Sequence, residues 1–263
     1  MRGINAKEYR RSSQNGEDGI IAFLAGGLKE NGRRFLEIGT SDGRENNTIE
    51  LLSDGWSGVG IDGSGARIAD YAQRVAGTPM AARITLSRLM VNWGNCIGVF
   101  ALTGDRSPDF FSLDIDCIDY YIAHRLFRLG LRPAIICCEF NPFFGARAIT
   151  TVYDEAFARY RYDPQRGLYF GASVAAWRHL FEPLGYRFIG VDSAGVNAFF
   201  GLEEAFAPKF LDQATGLPHA YTAYYSRKYG LPGEELEREL LARAELRFID
   251  VTTADIEALA GGG

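Results

Sequence analysis

The chain has 263 residues, 47% of them hydrophobic, with 28 basic against 33 acidic side chains and a formal net charge of −5. That length suits one large α/β domain with a small appendage. The acidic balance, without a basic stripe, gives a nucleic-acid partner little electrostatic support. No apolar run approaches the roughly 20 residues that span a bilayer. The polar opening stretch Met1–Arg11 lacks the apolar core of a signal peptide, so no membrane partner and a soluble cytoplasmic protein are expected.

Residues 1–31 read as a helical approach. The polar cluster Ser13-Gln-Asn-Gly-Glu-Asp18 precedes apolar Ile20-Ile-Ala-Phe-Leu24 and suits either a helix cap or a lid over a ligand. From residue 33, strands and helices alternate as in a parallel sheet. Strands are expected at 34–39, 57–62, 82–86, 108–114 and 134–140. Helices are expected at 46–54, 65–76, toward 102, and at 120–129, with Gly55 and Gly130 as stops. An irregular insertion rich in aromatic residues and arginine covers 141–167, followed by a helix over 171–184. Strands at 186–191 and 196–200, joined by the short Asp192–Gly195 link, make an antiparallel hairpin. The expected organisation is therefore an N-terminal segment or lid (1–32), a Rossmann-like core (33–201) and a helical, tyrosine-rich tail (202–263) packed on it.

The chemistry concentrates at strand ends. Strand one closes as Glu37-Ile-Gly-Thr-Ser-Asp-Gly43, and strand two closes at Asp62-Gly-Ser64 about twenty residues later. A glycine turn after one strand and an acid ending the next is the layout of a nucleoside-cofactor site, the acid holding ribose hydroxyls. Glu37, Gly39, Thr40, Ser41, Asp42, Gly43, Asn47, Asp62, Gly63 and Ser64 are the candidate cofactor contacts. S-adenosylmethionine is the leading cofactor, because Glu37 would repel a pyrophosphate but attract a sulfonium and an amino group. An NAD enzyme is disfavoured by the same acid and by the missing full Gly-x-Gly-x-x-Gly. Alternatively, Glu37 and Asp62 merely cap neighbouring helices. Gly39-Thr-Ser-Asp-Gly43 also matches a hydrolase nucleophile elbow, although only 40 residues precede Ser41.

Asp114, Asp116 and Asp119 form the densest acid cluster, at the end of strand four, and Glu139 and Asn141 end strand five. Asp114, Asp116, Glu139 and Asn141 are the candidate catalytic set. Asp116 or Glu139 is the expected general base, and Asp114, Asp116 and Glu139 are hard oxygen donors suited to Mg²⁺ or Mn²⁺. Asp119 alone reads as a solvated acid in the first turn of the next helix.

These motifs resemble a known family. Glu37–Gly43 is similar to the first motif of class I S-adenosylmethionine-dependent methyltransferases, and Leu113-Asp-Ile-Asp-Cys-Ile-Asp119 resembles the fourth-strand motif of the FkbM type. Gln14–Asp18 and Ser193–Phe200 resemble uncharacterised methyltransferase-like relatives. The departures are Ser41 in the turn and Cys117 where that type has glycine. The resemblance covers roughly residues 30–200. It implies an α/β, Rossmann-like class I sheet, mostly parallel with a terminal antiparallel hairpin and helices on both faces. It also implies methyl transfer to a small-molecule acceptor, oxygen-directed, in secondary metabolism or glycan biosynthesis, or a non-catalytic member that binds a nucleoside ligand or a partner. Asn141-Pro-Phe-Phe144 is close to the motif of amino-methylating enzymes, which keeps a nitrogen acceptor open.

Arg147, Arg159, Arg161 and Arg166 in the insertion read as solvated side chains or as a clamp for a carboxylate or phosphate. Tyr221, Tyr225 and Tyr229 fall at helical spacing and suggest a packing or homodimer face. The four cysteines and three histidines lack metal-ligand spacing, and the adjacent Cys137 and Cys138 are expected to point to opposite faces of a strand.

Overall fold

The computed structural model describes residues 2–261; Met1 and the last two glycines of the expected tail, 262 and 263, lie outside the described residues. Its strands are β1 (Arg34–Ile38), β2 (Ser57–Asp62), β3 (Ile84–Arg88), β4 (Phe110–Leu113), β5 (Ile135–Glu139), β6 (Ile149–Thr150), β7 (Tyr186–Val191), β8 (Asn197–Leu202) and β9 (Ile249–Asp250). Its α-helices are α1 (Glu17–Gly26), α2 (Ile49–Ser53), α3 (Gly65–Val75), α4 (Ile97–Thr103), α5 (Asp119–Arg128) and α6 (Arg159–Tyr162). They continue as α7 (Val174–Phe181), α8 (Phe210–Ala214), α9 (Ala223–Tyr229), α10 (Gly233–Leu241) and α11 (Ile256–Gly261). None of the described helices is long and apolar enough to cross a membrane.

Seven strands form one sheet in the order β3-β2-β1-β4-β5-β8-β7. The first five are parallel, and β8 runs antiparallel to both β5 and β7. This is the expected class I sheet closed by a hairpin. The order reverses between β1 and β4, so the loops after these strands diverge and leave a crevice at their carboxyl ends, where open α/β sheets bind ligands.

The strands are nearly continuous apolar runs because both sheet faces are covered. Leu36, Ile38, Phe111, Leu113, Ile136 and Cys138 pack on one face with α5 and α7 residues. Phe35, Phe110, Ile135 and Cys137 pack on the other with α1 and α2 residues. The two neighbouring cysteines thus point to opposite faces, as strand geometry requires. All four cysteines are free thiols.

Insertion and tail build a third apolar cluster together, around Phe143, Phe144, Tyr169, Leu236 and Leu240. The tail is not wholly helical, because β9 pairs antiparallel with β6. A buried Asp163 ties the two segments together, accepting from the Leu168 amide at 2.8 Å and from Arg243 at 2.5 Å. The expected tyrosine stripe is absorbed here. Tyr221 donates to Glu237 at 2.5 Å, Tyr229 donates to the Arg166 carbonyl at 2.5 Å, and Tyr225 turns inward to Arg159.

Ser173 anchors the insertion to α7. Its hydroxyl accepts from the Ala176 amide at 2.9 Å, as an N-cap, and donates to the Arg147 carbonyl at 2.6 Å. Ser173→Ala is expected to lower the stability to urea unfolding by about 1–2 kcal/mol, one cap and one buried acceptor. An unchanged urea midpoint would show that water replaces both bonds.

Candidate active site

A cleft of about 1060 Å³ opens along the carboxyl edge of β1, β4 and β5. One end is formed by Gln14, Asn15, Ser41, Asp42, Arg67 and Asp70, and the other by Asp114, Asp116, Glu139, Arg159, Phe170 and Tyr225. The polar cluster before α1 caps that helix and borders the cleft. Ser13 Oγ caps the Asp18 amide at 3.1 Å, and Asp18 Oδ2 gathers the amides of residues 11–13, while Gln14 and Asn15 face the cleft.

Glu37 does not face the cleft directly. It is 3% exposed, and its carboxylate accepts from the Thr40, Thr48 and Asn46 side chains and from the Asn47 amide, at 2.6–2.9 Å. Burial raises its pKa, and these four bonds oppose the rise. Its visible work is to pin the loop after β1, because short charge-assisted bonds hold residues 40–48 in one shape. Thr40 is itself buried against Glu37 and does not reach the cleft. Asn47 is turned beneath the sheet, donating to Ser112 at 3.0 Å and Cys137 at 3.6 Å. Of the expected turn contacts, Gly39, Ser41 and Asp42 line the cleft, whereas Gly43 lies over the Tyr71 ring.

Ser41 sits at φ +53, so the chain takes the left-handed turn without the glycine that the family pattern has there. The strained turn suits a nucleophile elbow, but no histidine lines this cleft, so Ser41 has no base of the Ser-His kind. Asp62 is 7% exposed. Its two oxygens accept from the Ser41 amide at 3.0 Å and the Ser64 amide at 2.7 Å. That bridge ties the β1 loop to the β2 end, and each oxygen keeps a lone pair. Ser64 caps α3 through Arg67, and Gly63 packs against Met90.

At the other end, one carboxyl oxygen each from Asp114, Asp116 and Glu139 lies within 4.8 Å of the others. Burial, with the charge of Asp119 behind it, pushes Asp114 up to about 7. Burial and then Asp114 push Glu139 well above the usual carboxylate range. Glu139 Oε2 is buried with no partner. Two neighbouring carboxyl groups in one desolvated place cannot both ionise easily, so each holds its proton to higher pH than a free carboxyl group does.

Three residues depart from expectation. Asp119 is not solvated: it is fully buried, and its oxygens accept from the Ile115 amide at 2.8 Å and the Cys117 amide at 2.9 Å. It shapes the loop that presents Asp116. Asn141 is not catalytic in its placement, being 1% exposed. Its amide donates to the Leu168 and Phe170 carbonyls at 2.8 and 2.9 Å, and its oxygen caps Phe143. All its bonding capacity in reach is used to hold the segment 168–170, so the nitrogen-acceptor reading loses its central donor. Cys117 replaces a glycine at no conformational cost, because the left-handed residue is Asp116, at φ +61. Aspartate tolerates that region better than most residues.

Of the insertion arginines named from sequence, Arg159 is held in a cage that the sequence did not show. Of the four arginines of the insertion, only this one lines the cleft. Its guanidinium pairs with Asp116, donates to Tyr225 Oη at 2.7 Å, and lies 4.4 Å over the Phe170 ring. Arg161 instead pairs with Asp154 at 3.7 Å, and Arg166 with Glu239 at 2.5 Å. Arginine spacing alone does not separate these fates.

No protein-family model matches the sequence. No curated protein matches it either. Solved structures overlap part of the fold. An O-methyltransferase from Bacillus cereus in complex with SAH is 18% identical over 69% of this chain and 76% of that one, at a TM-score of 0.42. Magnesium protoporphyrin IX methyltransferase from Synechocystis PCC 6803 with bound SAM is 13% identical over 70% and 76%, at a TM-score of 0.42. A SAM-dependent methyltransferase from Geobacter sulfurreducens in complex with S-adenosyl-L-homocysteine is 17% identical over 71% and 70%, at a TM-score of 0.41. The assignment rests on strand order rather than on these overlaps: the sheet is that of the class I S-adenosylmethionine-dependent methyltransferase fold.

Proposed function

We propose that this protein transfers a methyl group from S-adenosylmethionine to a hydroxyl of a small-molecule acceptor. The observation that carries the reading is the shared cleft. The Ser41 turn, with Asp62 bonded behind it, stands at one end, and the Asp114–Glu139 pair stands at the other. The donor set fits this cofactor. Asp62 retains lone pairs for ribose hydroxyls, and the acidic lining near Asp42 and Asp70 suits a sulfonium and an ammonium while opposing a pyrophosphate. Bound there, the cofactor supplies an electrophilic methyl carbon.

The residues of the chain then position and deprotonate the acceptor. Its hydroxyl proton passes to the ionised member of the Asp114–Glu139 pair. The acceptor oxygen forms the new C–O bond, and the electron pair of the broken C–S bond stays on sulfur, leaving a neutral thioether. A base poised near neutrality is effective in such a step. Alignment of the two reactants in the cleft contributes the larger share. Asp114, Asp116 and Glu139 would also be the residues to hold Mg²⁺ or Mn²⁺, which would polarise the same hydroxyl. Asp116 pairs with Arg159 and would have to leave it to bind such an ion.

Calorimetric titration with S-adenosylmethionine, S-adenosylhomocysteine and NAD tests the reading. Micromolar binding of the first two and none of NAD is expected. Asp62→Ala is expected to weaken adenosyl binding by about ten-fold or more, the loss of a charge-assisted bond. Equal affinity in Asp62→Ala would remove Asp62 from the site, and no adenosyl binding by the folded wild type would remove methyl transfer.

A further inference from the structure

Arg159 is an unusual cation for its surroundings. Its side chain is only 18% exposed, although it stands in a cleft lined by six carboxyl groups against four guanidinium groups. The Phe170 ring covers one of its faces at 4.4 Å, and Tyr225 Oη fixes one edge at 2.7 Å. A guanidinium immobilised in this way is preorganised to present its remaining N–H donors in a planar fork, the geometry that matches a carboxylate. Asp116 shows how one is received. It reaches Arg159 from a left-handed backbone position, and its side chain remains 60% exposed. The Asp116 side of the pair is open to water, so an incoming carboxylate can exchange with it while the guanidinium stays paired.

Resting on the methyl-transfer reading, we propose that the acceptor is a hydroxy-carboxylic acid whose carboxylate takes the place of Asp116 on Arg159. The spacing of the cluster supports this. The Asp116 oxygen lies within 4.8 Å of carboxyl oxygens of Asp114 and Glu139. A carboxylate seated on Arg159 therefore brings a hydroxyl a few bonds away up to the proton-accepting pair. Arg227 of α9, which also lines the cleft, forms no ion pair among the described residues and stands as a second positive charge there. Phe170, Tyr224 and Tyr225 supply flat apolar walls that favour a planar body. A doubly charged phosphate is a poorer match, because the acids outnumber the arginines.

The test uses 3-hydroxybenzoate as probe, titrated into the full chain with and without S-adenosylhomocysteine. Its neutral relative 3-hydroxybenzamide and inorganic phosphate serve as comparisons. Binding of 3-hydroxybenzoate is expected, at least ten-fold tighter than the amide and tighter than phosphate. Arg159→Gln is expected to weaken it ten-fold or more. Asp116→Asn, which removes the internal competitor, is expected to tighten it about three-fold; a purely structural ion pair would give no such gain. S-adenosylhomocysteine affinity should hold in both variants. Should Arg159→Gln fail to fold, Arg159→Lys and Asp116→Asn carry the test, since lysine keeps the charge but loses the fork. The proposal is overturned if the amide binds as well as the acid, if phosphate binds better, or if Asp116→Asn weakens the acid. Arg159-dependent binding of the acid without any adenosyl binding would keep the carboxylate site and remove methyl transfer.

Discussion

Gly39→Ala is expected to lose adenosyl binding altogether and about 3–5 kcal/mol of stability, at the severe end of single substitutions. A Cβ at this position would lie 1.6 Å from the Asp114 carbonyl oxygen and 2.7 Å from its carbon. The obstacle is backbone, not the end of a flexible side chain, so the ends of β1 and β4 must separate. Gly39 also sits at φ +94, which an L side chain resists. The Gly39 and Thr40 amides donate to the Ile61 carbonyl at 2.8 and 3.1 Å, and the Asp114 amide donates to Ile38 at 3.0 Å. Pushing these strands apart strains all three bonds and moves the turn and Asp114 together. Gly171→Ala is the control. It has a similar left-handed φ of +58 but nothing within 4 Å of an added Cβ. Only the conformational cost of about 1–2 kcal/mol applies there. Urea unfolding of both variants, with adenosyl titration, reads the difference. Equal losses would mean that the close approach of β1 to β4 is not what Gly39 secures.

Asp114→Asn is expected to lower the rate of methyl transfer to a hydroxyl about 10²–10⁴-fold, the usual range for a positioned base. The wild-type rate should climb with pH and level off above about 7, where Asp114 becomes ionised. Stability runs the other way. The folded-state pKa stands above the ordinary 3.8, so the folded chain binds the extra proton between these values. By linkage, the stabilisation from a protonated Asp114 is complete below about 4 and is lost as pH rises through about 7. The melting temperature of the wild type should therefore fall from about pH 4 to about pH 7 and level off above it, and Asp114→Asn should flatten that fall. A carboxylic-acid infrared band that weakens between pH 6 and pH 8, and loses part of that change in Asp114→Asn, reads the same proton without any acceptor. A variant that keeps its rate and its pH slope would transfer the role to Glu139.

Several site features were legible in the sequence because they are local. Glycine after an apolar strand was enough to place Gly39 and Ser41 at the cleft, and the acid closing the next strand, Asp62, is bonded to the Ser41 amide behind it. Strand ends placed Asp114 and Glu139 at one edge, since parallel strands carry their carboxyl ends to the same side. The residues whose placement was not legible share a cause. Glu37, Asn141 and Asp119 are polar residues at strand or helix ends, and from sequence each suits a ligand as well as a neighbouring backbone amide. Folding settles them as buried loop anchors, whose bonds run to residues 40–48, to 168–170 and to 115–117. The pairing of Arg159 with Asp116 joins an insertion to a strand end 43 positions earlier. No local pattern encodes such a contact.

What the sequence alone determined was the layered α/β architecture, the hairpin at residues 186–202 and the edge at which chemistry gathers. Hydrophobic periodicity and turn chemistry act over a few residues, and those determine the elements and their ends. Which polar groups face the cleft was decided only by tertiary structure. That choice depends on whether each buried donor or acceptor finds a partner elsewhere in the chain, and burial without a partner is costly. Glu37 finds four such partners and is withdrawn into its loop, whereas Glu139 keeps an oxygen with none and remains at the cleft with Asp114.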